Sequence, residues 1–180
     1  MINEKQTLSI CKEWRDSYNV EEENTNVWSV SRNCTSEIRL IQLQWKILHR
    51  IYPTGTLLYK MKIKDKEECD FCGERDTIPH FFANCPLSQK LWIEAERKVS
   101  SYLGKIIKFE EKIILLGIWC KDNYCQNELR YINRVCLIGK STISKFKFHK
   151  IGNIILSFEN ELRERGLSIS YYVLSLSIEI

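Results

Sequence analysis

Apolar residues recur at helical spacing along much of this chain. Ile38, Ile41, Trp45, Leu48 and Tyr52 follow at three- and four-residue steps, which predicts an amphipathic helix from about Ser36 to Tyr52, ended by Pro53. Arg39, Lys46 and Arg50 then fall mainly off the apolar stripe. A second face, Leu91, Ala95, Val99 and Tyr102, runs up to Gly104. A third begins where Asn123 and Gln126 form a capping-box pattern, and it carries Leu129, Ile132, Cys136 and Ile143. Gly152 interrupts it. Ile155, Phe158 and Leu162 then predict a last helix, with Arg163 and Arg165 in its final turn and Gly166 as its cap. The run from Ile113 to Trp119 suits a strand or a buried helix equally, because periodicity does not separate the two.

The chain has 180 residues, enough for one domain, or for one domain with a helical extension, and for a sizeable core. Its 44% hydrophobic and 28% charged residues are ordinary for a globular protein and argue against wholesale disorder. The start Met1-Ile2-Asn3-Glu4-Lys5 is not a charged-then-apolar signal pattern, and no run of about eighteen apolar residues would cross a bilayer. The expectation is a soluble, intracellular protein, with no membrane partner. No repeat, low-complexity tract or strong linker divides the sequence.

The densest chemistry is Cys69-x2-Cys72-x7-His80-x4-Cys85, three thiols and an imidazole at spacings that suit tetrahedral zinc. Zinc needs two short chelating arms, each bent to aim both donors at one point. Cys69-Asp70-Phe71-Cys72 makes the first arm, and Gly73 accepts the positive φ that follows the second thiolate. His80 to Cys85 makes the second. Pro79 suits the first turn of a helix there, and Pro86 discourages that helix from continuing. Four protein donors leave no position for water, so the ion reads as structural rather than catalytic. Two other readings are buried free cysteines, which behave as small hydrophobes, and a disulfide pair. The other five cysteines, Cys11, Cys34, Cys120, Cys125 and Cys136, form an odd set that a reducing compartment accommodates most simply.

Charge is uneven along the chain. The net charge is +4, yet the first 37 residues are acidic on balance, whereas Arg39, Lys46, Arg50, Lys60, Lys62, Lys64 and Lys66 face Asp65 alone over residues 38–66. This surplus leads into the zinc motif. A second stretch, Leu129 to Phe158, holds no acid, and within it Lys145-Phe146-Lys147-Phe148-His149-Lys150 interleaves cations with rings. Such patches attract phosphate by counterion release, and rings stack on bases. The plainer reading of each patch is a solvated face over an apolar one. Arg50, Lys60, Lys62, Lys64, Lys66, Phe71, Lys145, Lys147 and Lys150 are the candidate nucleic-acid contacts. His49 lies beside Arg50, but a lone histidine there reads first as a surface or core-edge residue. Cys120 and Cys125 lack the partners a second metal site needs, which favours packing. Trp45, Trp92 and Trp119 read as core, with Trp14 and Trp28 less clear.

Leu48-His49-Arg50-Ile51-Tyr52-Pro53-Thr54, Leu57-Leu58-Tyr59-Lys60-Met61, the zinc motif, Pro86 and Trp92 together resemble the zinc-binding region at the C-terminal end of reverse transcriptases from non-LTR (LINE-type) retrotransposons. The likeness is strongest from about Trp28 to Gly117. It implies a mainly α fold, a helical domain organised around a CCHC zinc knuckle, in which Cys69, Cys72, His80 and Cys85 match the family's zinc ligands. It also implies a module that contacts template RNA or target DNA during target-primed reverse transcription. The expected organisation is an N-terminal extension over 1–35, the basic helix and zinc region over 36–120, and a C-terminal helical region over 121–180. No adjacent Asp-Asp is present to hold two metal ions, so the chain is expected not to be an enzyme, and to be a separated tail domain, either a fragment of such an element or a piece retained by a host genome. The alternative is a structural zinc domain that binds a reverse transcriptase core or a host protein and no nucleic acid.

Overall fold

A computed structural model describes residues 14, 16–18, 25–118, 124–150 and 152–167. In chain order, a 3-10 turn at Thr25–Trp28 leads into α1 (Val30–Cys34), α2 (Ile38–Leu48) and α3 (Gly55–Lys60). The zinc motif follows, closing on a π-helical turn at His80–Asn84. Then come α4 (Pro86–Leu103), α5 (Glu111–Leu116), α6 (Gln126–His149) and α7 (Ile154–Glu164). The described residues are mainly helical and include no strand. An isolated antiparallel bridge, Glu68 to Arg75, is present in the first chelating arm. No helix among these residues is long and apolar enough to cross a membrane.

The long helix α6 is the spine, touching α1, α2, α4, α7 and the π-turn. Leu129, Ile132, Cys136 and Ile143 are all buried on it, as their spacing predicts. Gly139 lies where an added Cβ would stand 2.7 Å from the Trp92 indole, so the missing side chain is what lets that ring lie against the helix. One apolar core runs from Trp14 and Val27 through Phe82, Leu91 and Trp92 to Phe158 and Leu162, and so draws on the beginning, middle and end of the chain.

Several boundaries follow physical signals that the sequence carries. Gly104 and Gly166 end α4 and α7 with φ of 63° and 66°. After α7, the Gly166 and Leu167 amides donate back to the carbonyls of Arg163 and Leu162, satisfying the last turn. Asn153 caps the start of α7, its Oδ1 accepting from the Ile155 and Leu156 amides. The run beginning at Ile113 resolves as helix through Leu116, and Gly117, at φ 84°, turns the chain out of it. Trp119 and Cys120 lie outside the described residues.

Other expectations need correction. The first predicted helix stops one turn early, because Arg50 takes a left-handed conformation (φ 55°) and the Arg50 and Ile51 amides donate to the carbonyls of Ile47 and Lys46. Its buried side is also shifted, although Leu48 and, past the helix end, Tyr52 are buried as expected. Leu40, Gln44, Ile47 and Leu48 face inward, while Ile38 is 67% and Trp45 41% exposed, so Trp45 is not a core residue. The buried polar Gln44 explains the shift: its Oε1 accepts from Lys140 Nζ and its Nε2 donates to the Leu115 carbonyl at 2.8 Å. The cap of α6 is Cys125, two residues beyond the expected start, with Glu128 Oε2 accepting from the Cys125 amide at 2.8 Å.

Lys140 gives a prediction of its own. Its side chain is enclosed in the core, and burial pulls its ammonium pKa below the ordinary lysine value of 10.5. Between that lowered pKa and 10.5, the unfolded chain binds more protons than the native one at this site, so stability rises with pH across that window. Below the lowered pKa the cost of the buried charge is fully present. Lys140→Met removes the dependence. The wild type should therefore gain Tm on the variant as pH rises from the lowered pKa toward 10.5. Parallel Tm curves in thermal melts would contradict it.

Candidate metal centre

The first arm is a tight reversal. Cys69 donates its amide to the Glu74 carbonyl at 2.7 Å, and the Gly73 amide returns to the Cys69 carbonyl at 2.9 Å, with Gly73 at φ 78°. The turn thus takes the left-handed residue that the sequence provides. Asp76 ties this arm to α3. Its Oδ2 accepts from the Gly55 amide at 2.7 Å, and its carbonyl from the Thr56 hydroxyl at 3.0 Å. A Cβ on Gly55 would sit 2.8 Å from the Glu67 carbonyl oxygen, so only glycine permits this approach.

The second arm solves a geometric problem. Cys85 lies five positions beyond His80, and five α-helical steps would leave them about 140° apart around the axis. The chain instead widens into a π-turn, in which the Cys85 amide donates to the His80 carbonyl at 2.8 Å. Widening leaves carbonyls without their usual partners, and the core supplies others. Phe81's carbonyl accepts from Ser88 Oγ at 2.8 Å and from Lys147 Nζ at 2.9 Å, and Phe82's accepts from Trp92 Nε1 at 2.6 Å. Pro86 ends this turn and also opens α4 as its first residue.

These arms bring Cys69 Sγ, Cys72 Sγ, His80 Nε2 and Cys85 Sγ together, with one donor atom from each residue lying within 4.8 Å of every other. Cys69 and Cys85 sulfurs are 3.9 Å apart, and Cys72 Sγ lies 3.2 Å from His80 Nε2. Zinc–sulfur bonds of about 2.3 Å, set tetrahedrally, put sulfurs about 3.8 Å apart, so the donor set fits the ion. Cys69, His80 and Cys85 are buried and Cys72 is exposed.

The surroundings act unequally on the donors. Burial raises the Cys69 thiol to about 11. Burial pushes Cys85 upward too, but the Lys147 ammonium and hydrogen bonds from Lys147 and the Leu87 and Ser88 amides outweigh it and hold this thiol below its usual value. His80 is lowered by burial first and by Lys147 second, which favours the neutral imidazole that ligates metals.

The candidate nucleic-acid contacts fall into distinct places. Arg50 sets its guanidinium 4.4 Å over the Trp14 ring and, with exposed Lys60, lines a cleft of about 400 Å³ shared with Tyr18, Thr54, Thr56 and Thr77. Lys62 is exposed and left-handed, at φ 56°. Lys64 bonds Asp70 Oδ1 at 2.7 Å, and Lys66 borders a hollow with Asp65, Glu67, Glu68 and Glu74. Phe71 is 38% exposed, its ring 6.2 Å from that of Phe146. Lys150 reaches Asp70 Oδ2 at 3.6 Å, and Lys145 pairs with Glu161. Lys147 departs from expectation. It is only 6% exposed and points under the second arm, so it is not a surface contact in this fold.

His49 is likewise turned inward. It is 7% exposed, between Trp28 and Trp45 at ring distances of 5.1 and 4.4 Å. Asp76 and Ser88 also serve the site without being among the sequence candidates. Asp76 carried a faint signal, a carboxylate between the two arms, whereas nothing local marks Ser88.

Residues 9–92 match the family model described as zinc-binding in reverse transcriptase. This is a zinc-binding family, and the four-residue cluster here is able to hold a metal ion. The match describes a zinc-binding region and not the catalytic polymerase.

Proposed function

We propose that this chain is a non-catalytic, zinc-dependent nucleic-acid-binding module, of the kind found in the tail of LINE-type reverse transcriptases. In this reading Cys69, Cys72, His80 and Cys85 form a closed CCHC knuckle around Zn2+, and RNA or target DNA is held beside it. The observation that carries the reading is the cation-lined cleft next to that centre. Arg50 and Lys60 border it, Arg50 with its guanidinium over the Trp14 ring. Lys62 adds exposed charge on the segment that runs on into the knuckle. Lys64, Lys66 and Lys150 are weaker contacts, since acidic side chains stand beside them. Phosphate binding by such a set is electrostatic and falls with salt. Nucleus and cytoplasm both suit the function.

The test is binding of the zinc-loaded chain to single-stranded RNA, single-stranded DNA and duplex DNA across a salt series. The expected result is affinity that falls linearly in log–log form, with a slope of about 0.7 to 0.9 per phosphate contact. The second reading is a zinc domain that docks on a polymerase core or a host protein. Exposed apolar side chains favour it: Ile38 at 67%, Met61 at 58% and Ile63 at 65%. Absence of salt-dependent binding in a chain that carries its zinc would select this second reading.

A further inference from the structure

We propose that Lys147 is the charge partner of the metal centre, and that through it metal occupancy and the seating of the last turns of α6 form one equilibrium. The inference rests on the zinc reading of the four-donor cluster. Three thiolates and one divalent ion leave one surplus negative charge, and three of the four ligands are buried. An uncompensated charge in such surroundings is costly, and a single buried cation cancels it.

Lys147 is placed to be that cation. Its Nζ donates to the Phe81 carbonyl at 2.9 Å, in the turn between ligands His80 and Cys85, and its charge acts on the Cys85 thiol. The ammonium stands 4.3 Å from the Phe81 ring centroid, where the ring face favours positive charge. Its neighbours at the end of α6 hold the other arm: Phe146 beside the Phe71 ring, and the capping residue Lys150 on Asp70. The last turns of α6 therefore touch both arms that the ion must draw together. Metal binding that closes the arms completes the seat for Lys147, and a seated Lys147 stabilises the loaded centre, since linkage is reciprocal. Lys147 also lies beyond residues 9–92, so the segment matching the zinc-binding family draws its charge partner from a helix outside that match.

The test uses the full chain loaded with zinc and follows transfer of the metal to a chromogenic chelator. Lys147→Met should release zinc at least about tenfold faster than wild type, and Lys147→Arg, which keeps the charge, should recover part of the loss. Lys140→Met is the control, because it removes another buried cation of α6 that makes no contact with the ligands. In the wild type, amide exchange over residues 143–149 should quicken when the metal is withdrawn. Wild-type release from Lys147→Met, or equally fast release from Lys140→Met, overturns the proposal. So does exchange at 143–149 that ignores the metal, a readout that holds even where Lys147→Met fails to fold. A wild-type chain that takes up no zinc overturns the centre itself, and the role of Lys147 with it.

Discussion

Withdrawing zinc with a strong chelator is expected to unfold the segment from Cys69 to Cys85 and to lower the Tm of the whole chain sharply. Structural zinc sites contribute about 10–16 kcal/mol of apparent binding free energy at neutral pH, which rivals the whole stability of about 5–15 kcal/mol of a typical domain. Here the loss would not stay local. The π-turn that holds His80 and Cys85 also presents Phe82, fully buried, to the core, and its carbonyls are bound by Ser88, Trp92 and Lys147. Cys85→Ser should mimic chelation, leaving three donors in a buried site. The binding should also weaken as pH falls, because each thiol must shed a proton to ligate, and Cys69 starts at about 11 in the metal-free state. Thermal melts and amide exchange with and without chelator check this. An unchanged Tm together with unchanged protection over 69–85 would show that the arms close without metal.

The second large effect is expected from charge reversal at the cleft. Arg50→Glu, Lys60→Glu and Lys62→Glu combined should abolish measurable nucleic-acid binding at moderate salt. At low salt they should flatten the dependence by about 0.7 to 0.9 in slope for each lost contact. Lys60 and Lys62 are exposed, so these two substitutions should leave the fold intact. Lys64→Glu should matter less to binding, since Lys64 is committed to Asp70 and the Glu68 carbonyl. Melting curves and zinc content matching wild type would establish that lost binding is an effect of charge. Undiminished affinity in the triple variant would move the binding face elsewhere or remove it.

The metal motif was legible because chelation is local. Four donors within seventeen residues, a glycine after the first pair and prolines around the second specify two arms with no reference to the rest of the chain. Gly73, Gly104 and Gly166 all take the left-handed conformation. The existence of the longer helices was legible too, since each carries a repeating apolar face. What escaped depends on contacts distant in sequence. The inward side of α2 is set by Gln44 meeting Lys140, residues 96 apart, and a polar residue on a helix reads as surface until its partner is known. The π-turn is stabilised by Ser88, Trp92 and Lys147, of which the last comes from a helix more than sixty residues on. Lys147 itself stood in a run of alternating cations and rings, a pattern that suits a surface patch equally well. Helical geometry turned one lysine of that run inward and left Lys145 and Lys150 outside.

X-ray absorption at the zinc edge, on the full chain with metal content measured in parallel, tests the centre on which the rest depends. The account predicts one zinc per chain, with three sulfurs at about 2.3 Å and one nitrogen at about 2.0 to 2.1 Å. A first shell with fewer than three sulfurs, or with a water oxygen in place of the imidazole, would contradict it.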